Sequence, residues 1–342
     1  MMAGVSVSSA FASDNAAPVH PAILQALVDA NDGNVMSYGD DAVTARAAEL
    51  IRSAFDSPGA EVLFALTGTG ANVIALTAAT RPWHTILCSD IAHSLVDEAG
   101  GPTRLSGAML TVLPSDDGLI DPKHLAAQAA RRGPVHHSQP SIVTITQSTE
   151  NGRLWTPEAV TTFVDTAHEH GLLVHVDGAR VSNAIAALGV SPLEAVGDAD
   201  IVTVGGTKNG LLFGDAILVR RPEYFDGIHF VQKQIGHLPS KHRFLSAQFE
   251  ALFAEDRWLA MATHSNAMAA RLSSGFTQRG LQLATPTEAN EVFVVLDGDT
   301  YARIAAGYAV HAPDVLQPVY RFVCSWATTE DEVDAVLHLL DT

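Results

Sequence analysis

The sequence predicts an α/β protein: a largely parallel sheet with helices on both faces, and a smaller α/β unit at the carboxyl-terminal end. Three observations carry this. Between about residues 60 and 220, short apolar runs bounded by turns alternate with longer amphipathic stretches. The runs are apolar at consecutive rather than alternate positions, as strands covered on both faces require. After about residue 250 the order changes to one long helix, two short strands and a last helix.

Taken in order, "HPAILQALVDAN" is the helical piece within residues 1–40. The strand "VLFAL" runs into "TGTGAN" at the start of a helix. The runs "HTILCSD", "AMLTVLP", "SIVTITQ", "GLLVHVDGA", "ADIVTVGG" and "GDAILVRR" supply further strands. Among the connecting stretches, "TPEAVTTFVDTAHEHG" is a helix that Thr156 can cap, with Pro157 suited to its first turn and Gly171 able to end it. "VSNAIAALG" is another, closed by Gly189. The far end reads as the helix "EDRWLAMATHSNAMAARLSSGFTQRG", the strands "EVFVVLDG" and "VYRFVCSW", and a helix from Thr329. No internal repeat, low-complexity tract or long linker interrupts the chain. The expected division is an N-terminal segment 1–40 packing with the small domain, a large domain 41–250, and a small domain 251–342.

The 342 residues are 47% apolar and 17% charged, which excludes a disordered chain and leaves ample material for a core. The net charge of −18 repels phosphate backbones and anionic lipid, which argues against nucleic-acid and membrane-surface roles but not against a small anion held by a few local cations. Cys88 and Cys324 are the two cysteines, far apart and in apolar runs. They read as buried thiols, not as a disulfide or a zinc site. The start, "MMAGVSVSSAFAS", lacks a basic n-region and reads as a short extension, and no run reaches membrane-spanning length. A soluble, cytoplasmic protein is expected.

In α/β sheets ligands bind at the carboxyl ends of strands. The residues placed there are Gly68, Thr69 and Gly70, then His93, Glu150, Asp177 with Arg180, and Thr207 with Lys208. "TGTGAN" offers backbone N–H groups for a phosphate, or is an ordinary strand-to-helix turn. It is not a dinucleotide fingerprint, because Val73 stands where the third glycine belongs. Asp177 follows a buried run and either meets a cation or caps a helix. Lys208, in "GGTKNG", either snorkels to solvent or acts as a nucleophile toward an aldehyde, the role an amine crowded in an apolar site takes. Together, an anion cradle, a carboxylate and an amine on neighbouring strand ends are the parts pyridoxal phosphate needs.

The stretches "SDNAAPVHP", "SYGDD", "TGTGAN", "IAHSLVDEAGG", "TQSTENG", "HVDGAR", "GGTKNG" and "QKQIGHLPSKHRFLSAQ" resemble those of the L-threonine aldolases, nearly end to end. The resemblance implies a fold type I, pyridoxal-phosphate-dependent large domain with a mainly parallel seven-stranded sheet. It implies pyridoxal 5'-phosphate as cofactor. It also implies retro-aldol cleavage of L-threonine, L-allo-threonine and other β-hydroxy-α-amino acids, phenylserine included, to glycine and an aldehyde. It makes Lys208 the lysine that carries the cofactor, Asp177 the partner of its ring nitrogen, and His93 the imidazole stacked on its open face. Gly68, Thr69 and Thr207 resemble the phosphate site. Ser13, Arg180 and Arg321 resemble the binders of the substrate carboxylate. Tyr38 is similar to a residue reaching in from a neighbouring subunit, and Lys241 or Arg243 to one that meets phosphate across that interface. A homotetramer, built as a dimer of dimers, is implied.

Where some members carry a second histidine, this chain has Glu150. His93 is then the first candidate for the base that takes the β-hydroxyl proton, and Glu150 its competitor. Two other enzyme readings keep the cofactor and change the bond broken: a β-eliminating lyase and an aminotransferase. A non-catalytic pyridoxal-binding protein is a further reading, although no partner module is appended. A metal site of His168, His170 and His175 is disfavoured, because the first two lie two apart on a helix and point to different faces. His136 and His137 read as loop residues, and no metal is expected.

Overall fold

Buried runs build the frame in this computed structural model, which describes residues 7–312 and 317–341. The expected N-terminal extension begins in residues 1–6, outside the described residues. The strands are β1 (Glu61–Ala65), β2 (His84–Ser89), β3 (Met109–Leu113), the short pair β4 (Ser115–Asp116) and β5 (Leu119–Ile120), β6 (Gln139–Thr146), β7 (Leu173–Gly178), β8 (Ile201–Gly205), β9 (Asp215–Val219), β10 (Glu291–Val295) and β11 (Val319–Val323). The helices are α1 (Pro21–Asp29), α2 (Ala42–Ala54), α3 (Gly68–Ala78), α4 (His93–Val96), α5 (Gly101–Ser106), α6 (Pro122–Ala129), α7 (Pro157–Glu169), α8 (Val181–Leu188), α9 (Pro192–Val196), α10 (Ile228–Gln234), α11 (Arg243–Phe253), α12 (Arg257–Gln278), α13 (Gly298–Ala305) and α14 (Glu330–His338).

Seven strands form one sheet in the order β1-β9-β8-β7-β6-β2-β3. β8, β7, β6, β2 and β3 are parallel, and β9 runs antiparallel to both of its neighbours. Parallel pairs need a crossover of a dozen or more residues, and only residues 206–214 join β8 to β9, so that pair is antiparallel. The sheet is covered on both faces. Val174, Val176, Val202 and Val204 pack on one side with Phe163 and Phe249. Ile142, Ile201 and Ile217 pack on the other with Ile74 and Leu76 of α3.

Local chemistry sets the helix ends. Thr156 accepts from the N–H of Ala159 and Pro157 opens α7, while Gly189 closes α8 at φ 66°. A third core lies around β10 and β11, where Phe322 meets Phe276 at 5.2 Å and Phe11 at 6.2 Å between ring centroids. Phe11 is fully buried there, so the described start of the chain is stitched to this layer. Truncating such a ring costs about 3–5 kcal/mol.

Candidate active site

Five strands deliver their following residues to one cavity of about 360 Å³. Gly68 and Thr69 come after β1, His93 after β2, Glu150 after β6, Asp177 and Arg180 from the end of β7, and Thr207 and Lys208 after β8. Strands that run the same way present their carboxyl ends to the same edge, which is why residues scattered over 140 positions meet there.

The cradle is the first turn of α3. Thr67 caps it by accepting from the N–H of Gly70 at 3.0 Å. The N–H groups of Gly68 and Thr69 have no acceptor among the described residues, which makes this turn a seat for an anion. Glycine is required by space: a Cβ on Gly70 would lie 1.9 Å from His237 Cε1, and one on Gly68 would lie 2.9 Å from Asp215 Oδ2.

Lys208 sits in a single 3-10 turn, Thr207–Asn209. Buried Asp215 holds that turn, its Oδ1 accepting from Gly206 N at 2.7 Å. Thr207 Oγ1 donates to the carbonyl of Gly214 at 3.2 Å and accepts its N–H at 2.9 Å. Gly205 has no room for a side chain, since a Cβ would come 2.1 Å from the carbonyl oxygen of Ala179. The Lys208 amine lines the cavity and has no hydrogen bond or ion pair among the described residues.

Asp177 is buried, accepting from Ala179 N at 3.0 Å and from Asn72 Nδ2 at 2.7 Å. Asn72 also donates to Glu98 Oε1 at 2.9 Å, and the same oxygen lies 3.0 Å from His93 Nδ1. That contact holds the His93 imidazole above its ordinary value of 6.5, and burial raises the Glu98 carboxyl. Glu150 Oε1 accepts from Thr146 Oγ1 and from His93 N, both at 2.8 Å. Its Oε2 is sealed from solvent without a partner, and burial pushes this carboxyl up to about 7.

Arg180 reaches the cavity but is engaged, with Nε 2.7 Å from Asp14 Oδ2 and Nη2 3.1 Å from Asp14 Oδ1. Burial alone would lower its affinity for the proton, yet Asp14 and Glu291 outweigh that and raise it. Ser13 and Arg321 are not among the lining residues. Ser13 Oγ accepts from Asn15 N at 3.2 Å, and Arg321 lies 3.6 Å from Glu291. Tyr38, Lys241 and Arg243 do not line the cavity of their own chain. Tyr38 is 49% exposed with Lys233 Nζ 4.2 Å from its ring centroid, and Arg243 donates to the carbonyls of Asp32 and Gly33.

The histidines weighed for metal binding are separated. His168 pairs with Asp200 at 3.0 Å, His170 is exposed, and His175 is buried between Thr144 and Thr203, its imidazole lowered to about 4 by burial. Among the residues of the site that went unnoticed in the sequence are Asn72, Glu98, Asp14 and Asp215. The first three lie inside "TGTGAN", "IAHSLVDEAGG" and "SDNAAPVHP", so the motifs marked their neighbourhood though not their contacts.

An unpartnered amine, two unclaimed N–H groups beside threonine hydroxyls, and a buried carboxylate match the aldehyde, phosphate and ring nitrogen of pyridoxal 5'-phosphate. Fold and site together define a pyridoxal-phosphate-dependent enzyme of fold type I. The sequence pattern of the beta-eliminating lyase family matches residues 10–299, and the chain belongs to that family. It is 38% identical to the low specificity L-threonine aldolase of a Pseudomonas sp. over 341 residues, covering 95% of each chain. It is 37% identical to the protein of the same name in Pseudomonas aeruginosa, covering 94% of each. The threonine aldolase of Leishmania major superposes with a TM-score of 0.93 at 28% identity, over 98% of this chain and 99% of that one.

Proposed function

We propose that the protein is a carbon–carbon lyase that cleaves L-threonine, L-allo-threonine and related β-hydroxy-α-amino acids, phenylserine among them, to glycine and an aldehyde. The observation that carries this is the meeting of Lys208, Asp177 and the α3 N-terminus on one cavity. The 95% coverage of the Pseudomonas relative supports the same activity.

Bound pyridoxal phosphate supplies an electron sink for the pair left when the Cα–Cβ bond breaks. The chain's own residues do the rest. Lys208 would hold the cofactor through its aldehyde, and Gly68, Thr69 and Thr207 would hold its phosphate. Asp177 would face the ring nitrogen, positioned by its hydrogen bond from Asn72. His93, oriented by Glu98, would cover the cofactor's open face. Arg180, Arg321 and Ser13 take the substrate carboxylate and so set the angle of the bond to be broken. Of the two candidate bases, Glu150 is favoured, directly or through a water. Its Oε2 is a free acceptor, and its carboxyl titrates near 7, matched to the task. His93 Nδ1 is already engaged by Glu98, a contact that raises the affinity of the imidazole for its proton.

Tyr38, with Lys241 or Arg243, completes the site of a neighbouring subunit in a dimer of dimers. Supporting this, all three lie off their own cavity, the Tyr38 N–H donates to the carbonyl of Ser240, beside Lys241 in the chain, and Met36, near Tyr38 in sequence, is 65% exposed. The division into 1–40, 41–250 and 251–342 is part of the same reading, supported by Phe11 packing among the β10–β11 residues. A cytoplasmic site of action is proposed as well. Among the described residues no helix is long and apolar enough to cross a membrane.

The test is direct. The purified protein should carry a visible band that borohydride bleaches, with the reduced adduct mapping to Lys208. Lys208→Ala should hold cofactor loosely and lose turnover; full activity in that variant would refute the assignment. Threonine should yield glycine and acetaldehyde, whereas pyruvate or another keto acid would identify an eliminating lyase or an aminotransferase instead.

A further inference from the structure

Glu291 opens β10 and is 1% exposed. Neither of its carboxylate oxygens has a hydrogen-bond partner. A buried carboxylate without donors is costly and calls for an explanation. Its Oε1 lies 3.5 Å from Arg180 Nη2 and 3.6 Å from an Arg321 terminal nitrogen. The sheet register explains the second contact: Glu291 pairs with Val323, and Arg321 is two residues before Val323, hence on the same face. One oxygen is therefore shared by two guanidinium groups, at distances longer than a hydrogen bond. The contrast with Asp14 is plain, since that carboxylate grips Arg180 through two hydrogen bonds of 2.7 and 3.1 Å. Arg321 Nε, also buried, has no partner.

We propose that Glu291 is an internal carboxylate that loosely occupies the Arg180–Arg321 pair and competes with the substrate carboxylate for it. This rests on the reading that these two arginines bind the substrate carboxylate. Asp14 is the fixed counterion and Glu291 the exchangeable one. The charges that face Glu291 are Arg180, Arg321, Asp14 and Lys208. Arg180 and Asp14 neutralise each other, so an arriving carboxylate and Glu291 are left to share Arg321 and the open edge of Arg180. Burial raises the Glu291 carboxyl, which eases its loss of charge when a second carboxylate arrives. Glu291 is thus a specificity-determining residue that sets substrate affinity without touching the cofactor.

The test is glycine binding to the holoenzyme, read from the visible band of the cofactor. Glu291→Gln removes the competing charge and keeps the shape, so glycine should bind about tenfold more tightly. Unchanged or weaker binding would overturn the proposal. Should the glutamine variant fail to load cofactor, Glu291→Asp serves instead. It draws the carboxylate back by one methylene, and tighter glycine binding is again expected, with unchanged or weaker binding counting against. Arg321→Ala tests the underlying reading separately. It should weaken glycine about tenfold or more. If it does not, the arginine assignment fails; if it does and the Glu291 variants bind glycine no better than wild type, only the competition fails.

Discussion

Replacing Glu150 by glutamine gives the sharpest test of the site, because its effect can be worked out with a sign. The carboxyl titrates at about 7 in the fold against an ordinary 4.5, with burial as the main cause. Between those values the folded chain binds a proton that the unfolded chain does not, so stability falls as pH rises through 7. At pH 6 about nine-tenths of folded molecules carry the proton, and at pH 8.5 few do, which makes the loss over that interval about 1.4 kcal/mol. Glutamine cannot titrate. It keeps an oxygen for Thr146 and His93 N, and places its amide where Oε2 has no partner. The cost of that amide is the same at both pH values and cancels in the difference. Urea unfolding of the cofactor-free protein, followed by tryptophan fluorescence, should therefore show the variant gaining about 1.4 kcal/mol on wild type between pH 6 and pH 8.5. A pH-independent gap would refute the burial argument. In the loaded enzyme, kcat/KM of wild type should rise through pH 7, and the variant should lose that limb. A limb that survives returns the proton-taking role to His93.

Other consequences are equally measurable. Gly70→Ala drives a methyl group into His237, whose Nδ1 accepts from Leu66 N at 3.1 Å, so the ring must leave and that bond is lost. The expected cost is about 1–3 kcal/mol in thermal unfolding, with weaker cofactor retention on dialysis; wild-type retention would show that the cradle tolerates the change. Asp14→Ala breaks a buried pair and leaves Arg180 with Glu291 alone, at a cost of about 3–5 kcal/mol read by urea unfolding. A loss below 1 kcal/mol would mean that Asp14 is not the fixed counterion.

Much of the frame is local in origin and was therefore legible. Consecutive apolar residues mark the strands because each is covered on both sides, and α7 announces itself through Thr156, Pro157 and Gly171, all at its own two ends. The turn around Lys208 is legible for a related reason: the glycines that flank it are demanded by backbone packed against them, as at Gly205. Contacts made across the sheet are not local, and they were missed. Asn72 meets Glu98 and Asp177, 26 and 105 residues away, and no spacing along the chain encodes that. Arg180 read as an open carboxylate binder because Asp14, 166 residues earlier, gives no sign of turning toward it. The direction of β9 is hidden in the pattern of "GDAILVRR", since a buried strand looks the same either way. Only the shortness of the 206–214 connection reveals it.

The same nonlocal contacts explain how a chain of net charge −18 builds a site for anions. Cations at the site are few: Lys208, Arg180 and, facing the same Glu291 oxygen, Arg321. Carboxylates outnumber them, namely Asp14, Glu98, Glu150, Asp177, Asp215 and Glu291. A phosphate and a substrate carboxylate meet repulsion from such a set. Burial acts selectively on it. The carboxyls of Glu98, Glu150, Asp215 and Glu291 are all raised by desolvation, whereas Asp14, against Arg180, is lowered despite its burial. Backbone N–H groups at α3 then bring positive potential without adding a charge of their own. Among the carboxylates of the site, Glu291 faces two arginines without a hydrogen bond to either and is the one placed to exchange with the substrate.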